Sequence, residues 1–365
     1  LKEAYGSLAA FLYGWQRFWI GSPGSIAAYA VGSATFLSGV IPLGPQYGIS
    51  FAGIFFIAVF TGLNCLSVTF GGAVQSLLTA LKVLMVLGLA AGIFFLSPEA
   101  SFANFHAAST EPVTWSAFGA AVLAALWAFD GWNNLPMAAG EVKNPSRNIP
   151  FALVVGTIAV ILLYAIANAS YFFALPFPEV VNSYSVHHPE ALPVATKAAQ
   201  GFIGSGGVAL LSIALVISAL GAMNGSILTS ARVPYAMSES HLFPQVLGRV
   251  SAGARVPVFS VLIQGAWACV LALSGSFDQL TDYVVFSAWI FYAMNAMAVL
   301  ILRRKYTEKK RNYRVQSFVP WLFSFVALAL LANTLITAPR ESGIGLAFIG
   351  AGIPLYFFFR VRTRR

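Results

Sequence analysis

Three charged residues stand deep inside long apolar stretches: Arg17 in "YGWQRFW", Lys82 in "QSLLTALKVLMVLGLA" and Asp130 in "ALWAFDGWNNLP". A charge held away from water is costly, so intramembrane charges are rare and usually mark a path for ions or polar solutes. Asp130 is followed by Gly131, Trp132, Asn133, Asn134 and Pro136. Glycine and asparagine favour leaving a helix, and proline has no amide for the turn before it. An unwound stretch here splits the run into two half-helices. Carbonyls freed at the end of the first half attract cations, and amides freed at the start of the second attract anions. Asp130 is expected to cap the second half through its side chain. The other reading is a kinked helix whose polar groups are satisfied by neighbours.

Lys82 lies about eleven residues, or roughly 16 Å, from the near end of its run. It is expected to be an ammonium inside the bundle, placed against carbonyls or hydroxyls where a coupling cation would sit; a snorkelling lysine is the alternative. Arg17, flanked by interfacial aromatics, is expected to snorkel to the surface. In "SALGAMNGSILTSARVPYAM", Ser218, Gly221, Gly225, Thr229 and Ser230 suit close helix packing. Asn224 and Ser226 there are candidates to line a polar cavity.

Other chemistries are poorly supported. His106, His187, His188 and His241 fall in loops with no metal-ligand spacing, so no metal or other cofactor is expected. No serine nucleophile stands beside a buried histidine. "GFIGSGG" (201–207) has no preceding strand and reads as a loop leading into a helix rather than a phosphate cradle. Cys65 and Cys269 form neither a disulfide framework nor a metal set. The net charge of +9 does not argue for nucleic acid, because the basic residues follow a membrane pattern.

The elements that carry these residues are legible from composition. Of 365 residues, 58% are hydrophobic and 9% charged, against about 25% charged in soluble domains. A membrane helix needs about 20 mostly apolar residues. Ten such runs are predicted: 8–38, 47–67, 71–96, 115–140 (interrupted), 150–175, 205–236, 257–274, 280–302, 318–337 and 343–360. Pro42 and Pro45, Gly71 and Gly72, Pro98 and Pro112, and Pro145 and Pro150 punctuate the first four connections. Of the 21 Lys and Arg residues, Arg17 and Lys82 lie inside runs, Lys197 and Arg340 fall in one set of loops, and all others fall in the alternate set or at the ends. The positive-inside rule then puts both termini in the cytoplasm of a multi-pass cell-membrane protein. The 176–200 connection is the longest outer one, and its second half is expected to form a short helix over the pore.

"AFDGWNNLPMAAGEVKNPSRNIP" (128–150) closely resembles the sixth-helix signature of the amino acid–polyamine–organocation superfamily, nearest its L-type amino acid transporter-like branch. "EAYGSLAAFLYGW" (3–15), "VQSLLTALKVLMVLG" (74–88), "GAMNGSILTSARVPYAMSESHLFP" (221–244) and "DYVVFSAWIFYAMNAMAVLILRRK" (282–305) resemble its third, fifth, eighth and tenth helices. The resemblance spans essentially the whole chain. It implies an all-α integral membrane fold of inverted five-helix repeats, of which this chain carries ten transmembrane helices. Residues 1–98 are then the remnant of the first repeat (helices three to five), 112–304 the second repeat (helices six to ten), and 305–365 a basic cytoplasmic loop with the last two helices. Counterparts of helices one and two, including the glycine-rich break that holds the substrate's carboxylate, have no match. With Leu1 rather than methionine first, the chain is expected to be cut from a longer reading frame, and inactive as given.

The function implied is secondary active transport of small or neutral L-amino acids, by exchange or proton coupling through alternating access. The expected substrate-binding set is Trp127, Ala128, Phe129, Asp130, Gly131 and Asn133. Trp127 matches the outer aromatic gate, and Phe129, Asp130 and Gly131 match the unwound stretch. Lys82 matches a lysine that stands in for the sodium of related transporters. Animal members bond to a heavy chain through a cysteine between helices three and four; the loop at about 39–47 has none, so no disulfide-linked partner is expected. A membrane enzyme or receptor is the rival class, but neither a clustered catalytic set nor a soluble ligand-binding domain is apparent.

Overall fold

A computed structural model of the chain describes residues 1–44, 47–98, 100–106, 114–185, 188, 191–204, 206–274, 277–308 and 314–362; within these, the side chains of residues 116, 120, 123, 124, 127, 277–283, 285, 341 and 360–362 fall outside the description. The regular elements among the described residues are helices, with no strand among them. In order the helices are α1 (Lys2–Tyr5), α2 (Ser7–Gln16), α3 (Ser22–Ser38), α4 (Tyr47–Leu66), α5 (Val68–Leu96), α6 (Trp115–Ala128), α7 (Asn134–Met137) and α8 (Pro145–Ala174). There follow α9 (Phe177–Val181), α10 (Val194–Ile203), α11 (Gly206–Ser230), α12 (Arg232–Glu239), α13 (Val258–Ser274), α14 (Phe277–Lys305), α15 (Phe318–Thr337) and α16 (Pro339–Arg362).

Each of the ten apolar runs lies on helix. Among the described residues, seven helical stretches are long and apolar enough to cross a membrane: Tyr47–Leu66, Val68–Leu96, Pro145–Ala174, Gly206–Glu239, Phe286–Lys305, Phe318–Thr337 and Ser342–Phe359. The helix Val258–Ser274 is apolar but shorter. The two remaining runs are interrupted. The first passes from α2 to α3 through a π-helical turn at Arg17–Gly21. The fourth breaks between α6 and α7.

The core is built around α3. Its sequence, "SPGSIAAYAVGSATFLS", is rich in small residues, and small residues let helix backbones approach closely. Ile26, Ala27, Ala28, Ala30 and Val31 pack with Ile57 of α4, Met223 and Ile227 of α11, and Val261 and Ala268 of α13. Helix α14 closes the remaining side: a Cβ on Gly24 would lie 2.6 Å from Val284.

Local details differ from the sequence reading. Gly71 and Gly72 do not end a helix; they lie inside α5, which starts earlier because the Ser67 side chain accepts from the amides of Thr69 and Phe70. Gly71 instead lets α5 approach α4, since a Cβ there would sit 2.7 Å from Asn64 Oδ1. In the 176–200 connection, α9 and α10 are joined by Lys197. Its Nζ donates to the carbonyls of Glu179 (3.1 Å) and Asn182 (3.1 Å) and to Glu179 Oε2 (3.0 Å). The expected short helix is α10, and Gly204, with φ +67°, ends it ahead of α11. Pro112, His187, Lys309, Lys310, Arg311, Arg364 and Arg365 lie outside the described residues, as do Pro45 and Gln46 of the 39–47 loop.

Candidate functional site

Helix α6 stops at Ala128, and residues 129–133 form turns rather than helix. Gly131 has φ +116°, a conformation that L side chains rarely adopt, and this glycine permits the chain to leave the helix axis. The Ala128 carbonyl, orphaned at the helix end, accepts from Tyr164 Oη of α8 at 2.5 Å. Asn134 N–H donates to the Gly131 carbonyl at 3.0 Å. The carbonyls of Phe129 and Asp130 accept no hydrogen bond among the described residues.

The expected cap is absent. Asn133 occupies the N-cap position of α7, and no side chain caps it. Asp130 points elsewhere: its Oδ1 accepts from Asn133 Nδ2 at 2.9 Å and from Tyr292 Oη of α14 at 3.1 Å. Asn133 and Tyr292 also touch each other through Nδ2 and Oη. Nor is there a second half-helix of any length. Helix α7 has four residues and passes into a 3₁₀ turn at Ala139–Glu141, so it gathers little helix dipole for an anion.

Arg17 does not snorkel. It is 4% exposed, and its Nη2 donates to Asn134 Oδ1 at 3.1 Å and lies 3.7 Å from Met137 Sδ. The π-turn explains this. One extra residue in the turn redirects the side chain and frees carbonyls, as π-bulges at functional positions do. The freed carbonyls of Phe18 and Trp19 accept from Gln264 Nε2 (3.0 Å) and Trp267 Nε1 (2.8 Å) of α13. Gln16 Nε2, one residue earlier, donates to Ser287 Oγ of α14 at 2.8 Å. The turn is thereby locked between α13 and α14, with its cation aimed at α7. Asn133 Oδ1 and Arg17 Nε are buried without a partner among the described residues.

A groove of about 640 Å³ opens beside the break. Phe129, Asp130, Gly131 and Trp132 form one wall, Gly156, Thr157 and Tyr164 of α8 another, and Phe323 of α15 closes it. The Phe129 ring meets Tyr164 edge-on at 5.0 Å, and Trp132 leans on Tyr292 at 5.3 Å. At its far end the broken segment is held again: Arg232 of α12, buried, makes a two-pronged ion pair with Glu141 at 2.9 and 3.0 Å.

Of the sequence-predicted residues, the structure brings Ala128, Phe129, Asp130, Gly131 and Asn133 together at the break. Ala128 through Gly131 line the groove, and Asn133 is buried behind them. Trp127 lies on α6, but its side chain is outside the described set. Lys82 does not line the groove. It is half-buried on α5 and makes no hydrogen bond or ion pair among the described residues. Its spacing from Gln75 and Thr79 puts all three on one face of that helix. Asn224 is fully buried in a seam joining three helices. It accepts from Asn64 Nδ2 (2.8 Å) and donates to Gln75 Oε1 (2.9 Å) and to the Gly71 carbonyl (3.4 Å). Ser226 is buried on the same helix, and neither lines the groove. Sequence reasoning missed Tyr164 and Tyr292. The available signal was a tyrosine within an apolar run, whose hydroxyl must find a partner once buried.

A family model described as amino acid permease matches residues 1–359. The chain belongs to the amino acid permease family. It is a multi-pass membrane protein of the amino acid–polyamine–organocation class, a transporter and not an enzyme. This permease is 30% identical over 368 residues to the serine/threonine exchanger SteT of Bacillus subtilis, covering 99% of this chain and 81% of that one. It is 30% identical over 370 residues to the b(0,+)-type amino acid transporter 1 of Mus musculus (98% and 73% covered). To the human cystine/glutamate transporter it is 25% identical over 369 residues (100% and 72%).

Proposed function

We propose that this permease carries small or neutral L-amino acids across the cell membrane by alternating access, as an exchanger or a proton-coupled carrier. The observation that carries the reading is the break at residues 129–133, which leaves hydrogen-bond acceptors unpaired. The carbonyls of Phe129 and Asp130 and the buried Asn133 Oδ1 accept nothing among the described residues. An ammonium group supplies three donors and a charge, and it satisfies such a set where a neutral solute does not. Irregular backbone at membrane depth is tolerated where it lines a cavity, and broken helices in transporters place substrate there. Exchange is favoured by the likeness to an exchanger.

The finer architecture follows the same reading. Ten helices cross the bilayer, with both termini cytoplasmic. Residues 1–98 belong to a first repeat, 112–304 to a second, and 305–365 to a basic loop and two closing helices. Ala128, Phe129, Asp130, Gly131 and Asn133 contact substrate, and Trp127 gates it. Lys82 is the fixed cation of the α5 face. The test is uptake of labelled neutral amino acids into proteoliposomes holding the protein, with and without internal amino acid and with and without a pH gradient. Uptake accelerated by either condition is expected. No amino acid uptake under any of them overturns the reading.

A further inference from the structure

Two buried arginines grip the inner arm of the broken segment, Asn134 to Glu141, one at each end, and they grip it differently. At the far end Arg232 of α12 meets the Glu141 carboxylate with two donors, at 2.9 and 3.0 Å. Two-pronged charge pairs of this kind are among the strongest polar contacts in proteins. At the near end Arg17 meets a neutral group. Its Nη2 donates to the amide oxygen Asn134 Oδ1 at 3.1 Å, and its other contact, at 3.7 Å, is the Met137 sulfur, a weak acceptor. Among the described residues no carboxylate lies within ion-pair distance of this guanidinium, and its Nε is buried without a partner. Asp130, four positions before Asn134 on the same segment, is engaged through Oδ1 by Asn133 and Tyr292 instead.

A buried guanidinium is offset far better by a carboxylate than by an amide, so an aspartate at position 134 would hold the arm faster than the asparagine does. The neutral partner leaves a contact that can open and close again. The fixed side of that contact is Arg17. Its π-turn is tied to α13 through Gln264 and Trp267 and to α14 through Gln16 and Ser287, so the arm is the part free to move. There is space at the pivot: a Cβ on Gly140, next to the Glu141 anchor, would meet nothing within 4 Å. Resting on the transport reading above, we propose that Arg17 is a positioning residue for the transport cycle: it is a releasable catch on Asn134, and the arm turns about the Arg232–Glu141 anchor when the catch opens. Conformational steps limit turnover in many proteins that enclose their substrates, so the strength of the catch sets the rate.

The test tightens the catch and then cuts it, reading melting temperature in detergent and maximal uptake of labelled neutral amino acid into proteoliposomes. Asn134→Asp keeps the shape of the side chain and turns the contact into an ion pair. Its melting temperature is expected to rise and its maximal rate to fall at least tenfold. Asn134→Ala removes the acceptor. Its melting temperature is expected to fall while its maximal rate stays within about threefold of the unaltered protein's or exceeds it. Stability and rate moving in opposite directions is the mark of a catch, because a residue that only supports the fold moves both together. Should Asn134→Asp not fold, Arg17→Lys decides. A lysine keeps the charge but lacks the planar fork, so it grips less well; a lower melting temperature with the rate held or raised is expected. An undiminished rate in Asn134→Asp, or a slower one without a rise in melting temperature, overturns the inference. So does a more than threefold loss of rate alongside lost stability in Asn134→Ala or Arg17→Lys. These results leave the transport reading standing. Absence of uptake by the unaltered protein overturns that reading, and the catch with it.

Discussion

At the scale of single residues, the break depends on Gly131 and on the clasp around Asp130. A leucine at a φ of +116° is strained whatever the space around it, so Gly131→Leu forces the turn toward helix. Uptake by Gly131→Leu is expected to fall more than tenfold while the protein still reaches the membrane, measured as initial rate per reconstituted molecule. Tyr292→Phe removes one donor from the Asp130 carboxylate and leaves the ring packing in place. It is expected to cost about 1 kcal/mol of stability, seen as a lower melting temperature in detergent. Lys82→Ala tests the fixed cation of α5: impaired uptake with unchanged folding supports that role, and full uptake removes it.

At the scale of elements, polar contacts between helices set how closely α4, α5 and α11 pack. The Asn64–Asn224–Gln75 chain is buried, so Asn224→Ala leaves buried amide groups unpaired and is expected to cost about 1–3 kcal/mol. Gly71→Ala is expected to destabilise as well, because its methyl meets Asn64 Oδ1. Thermal unfolding of each variant in detergent checks both. The apolar runs were legible in the sequence because a membrane helix needs only length and composition to announce itself. The interruption at Gly131 was legible too, since glycine and asparagine seldom sit quietly in such a run. The π-turn at Arg17–Gly21 was not. It changes the direction of a side chain without changing the apolar pattern, so Arg17 read as a surface residue. The Asp130 cap failed for a related reason: a tyrosine 162 positions away competes for the same oxygen, and local spacing holds no record of it. Gly71 and Gly72 misled because a serine cap, one turn earlier, had already started the helix.

At the scale of the whole molecule, α3 is the axis around which α4, α11, α13 and α14 assemble, and the broken segment is fastened at both ends, to α14 through Tyr292 and to α12 through Arg232. The orientation is open to a direct check. With Cys65 and Cys269 replaced, single cysteines at Ser251 and at Asn182 should react with a membrane-impermeant reagent from opposite sides, Ser251 from the cytoplasm. Labelling of both from the same side contradicts the topology. The Lys197 fastening has its own corollary. Two of its three acceptors are peptide carbonyls, which do not change charge with acidity. On the proposed outer face, then, the strap from α9 to α10 stays tied in acid surroundings that neutralise nearby carboxylates, and limited proteolysis there should speed up for Lys197→Met but hardly at all for Glu179→Gln.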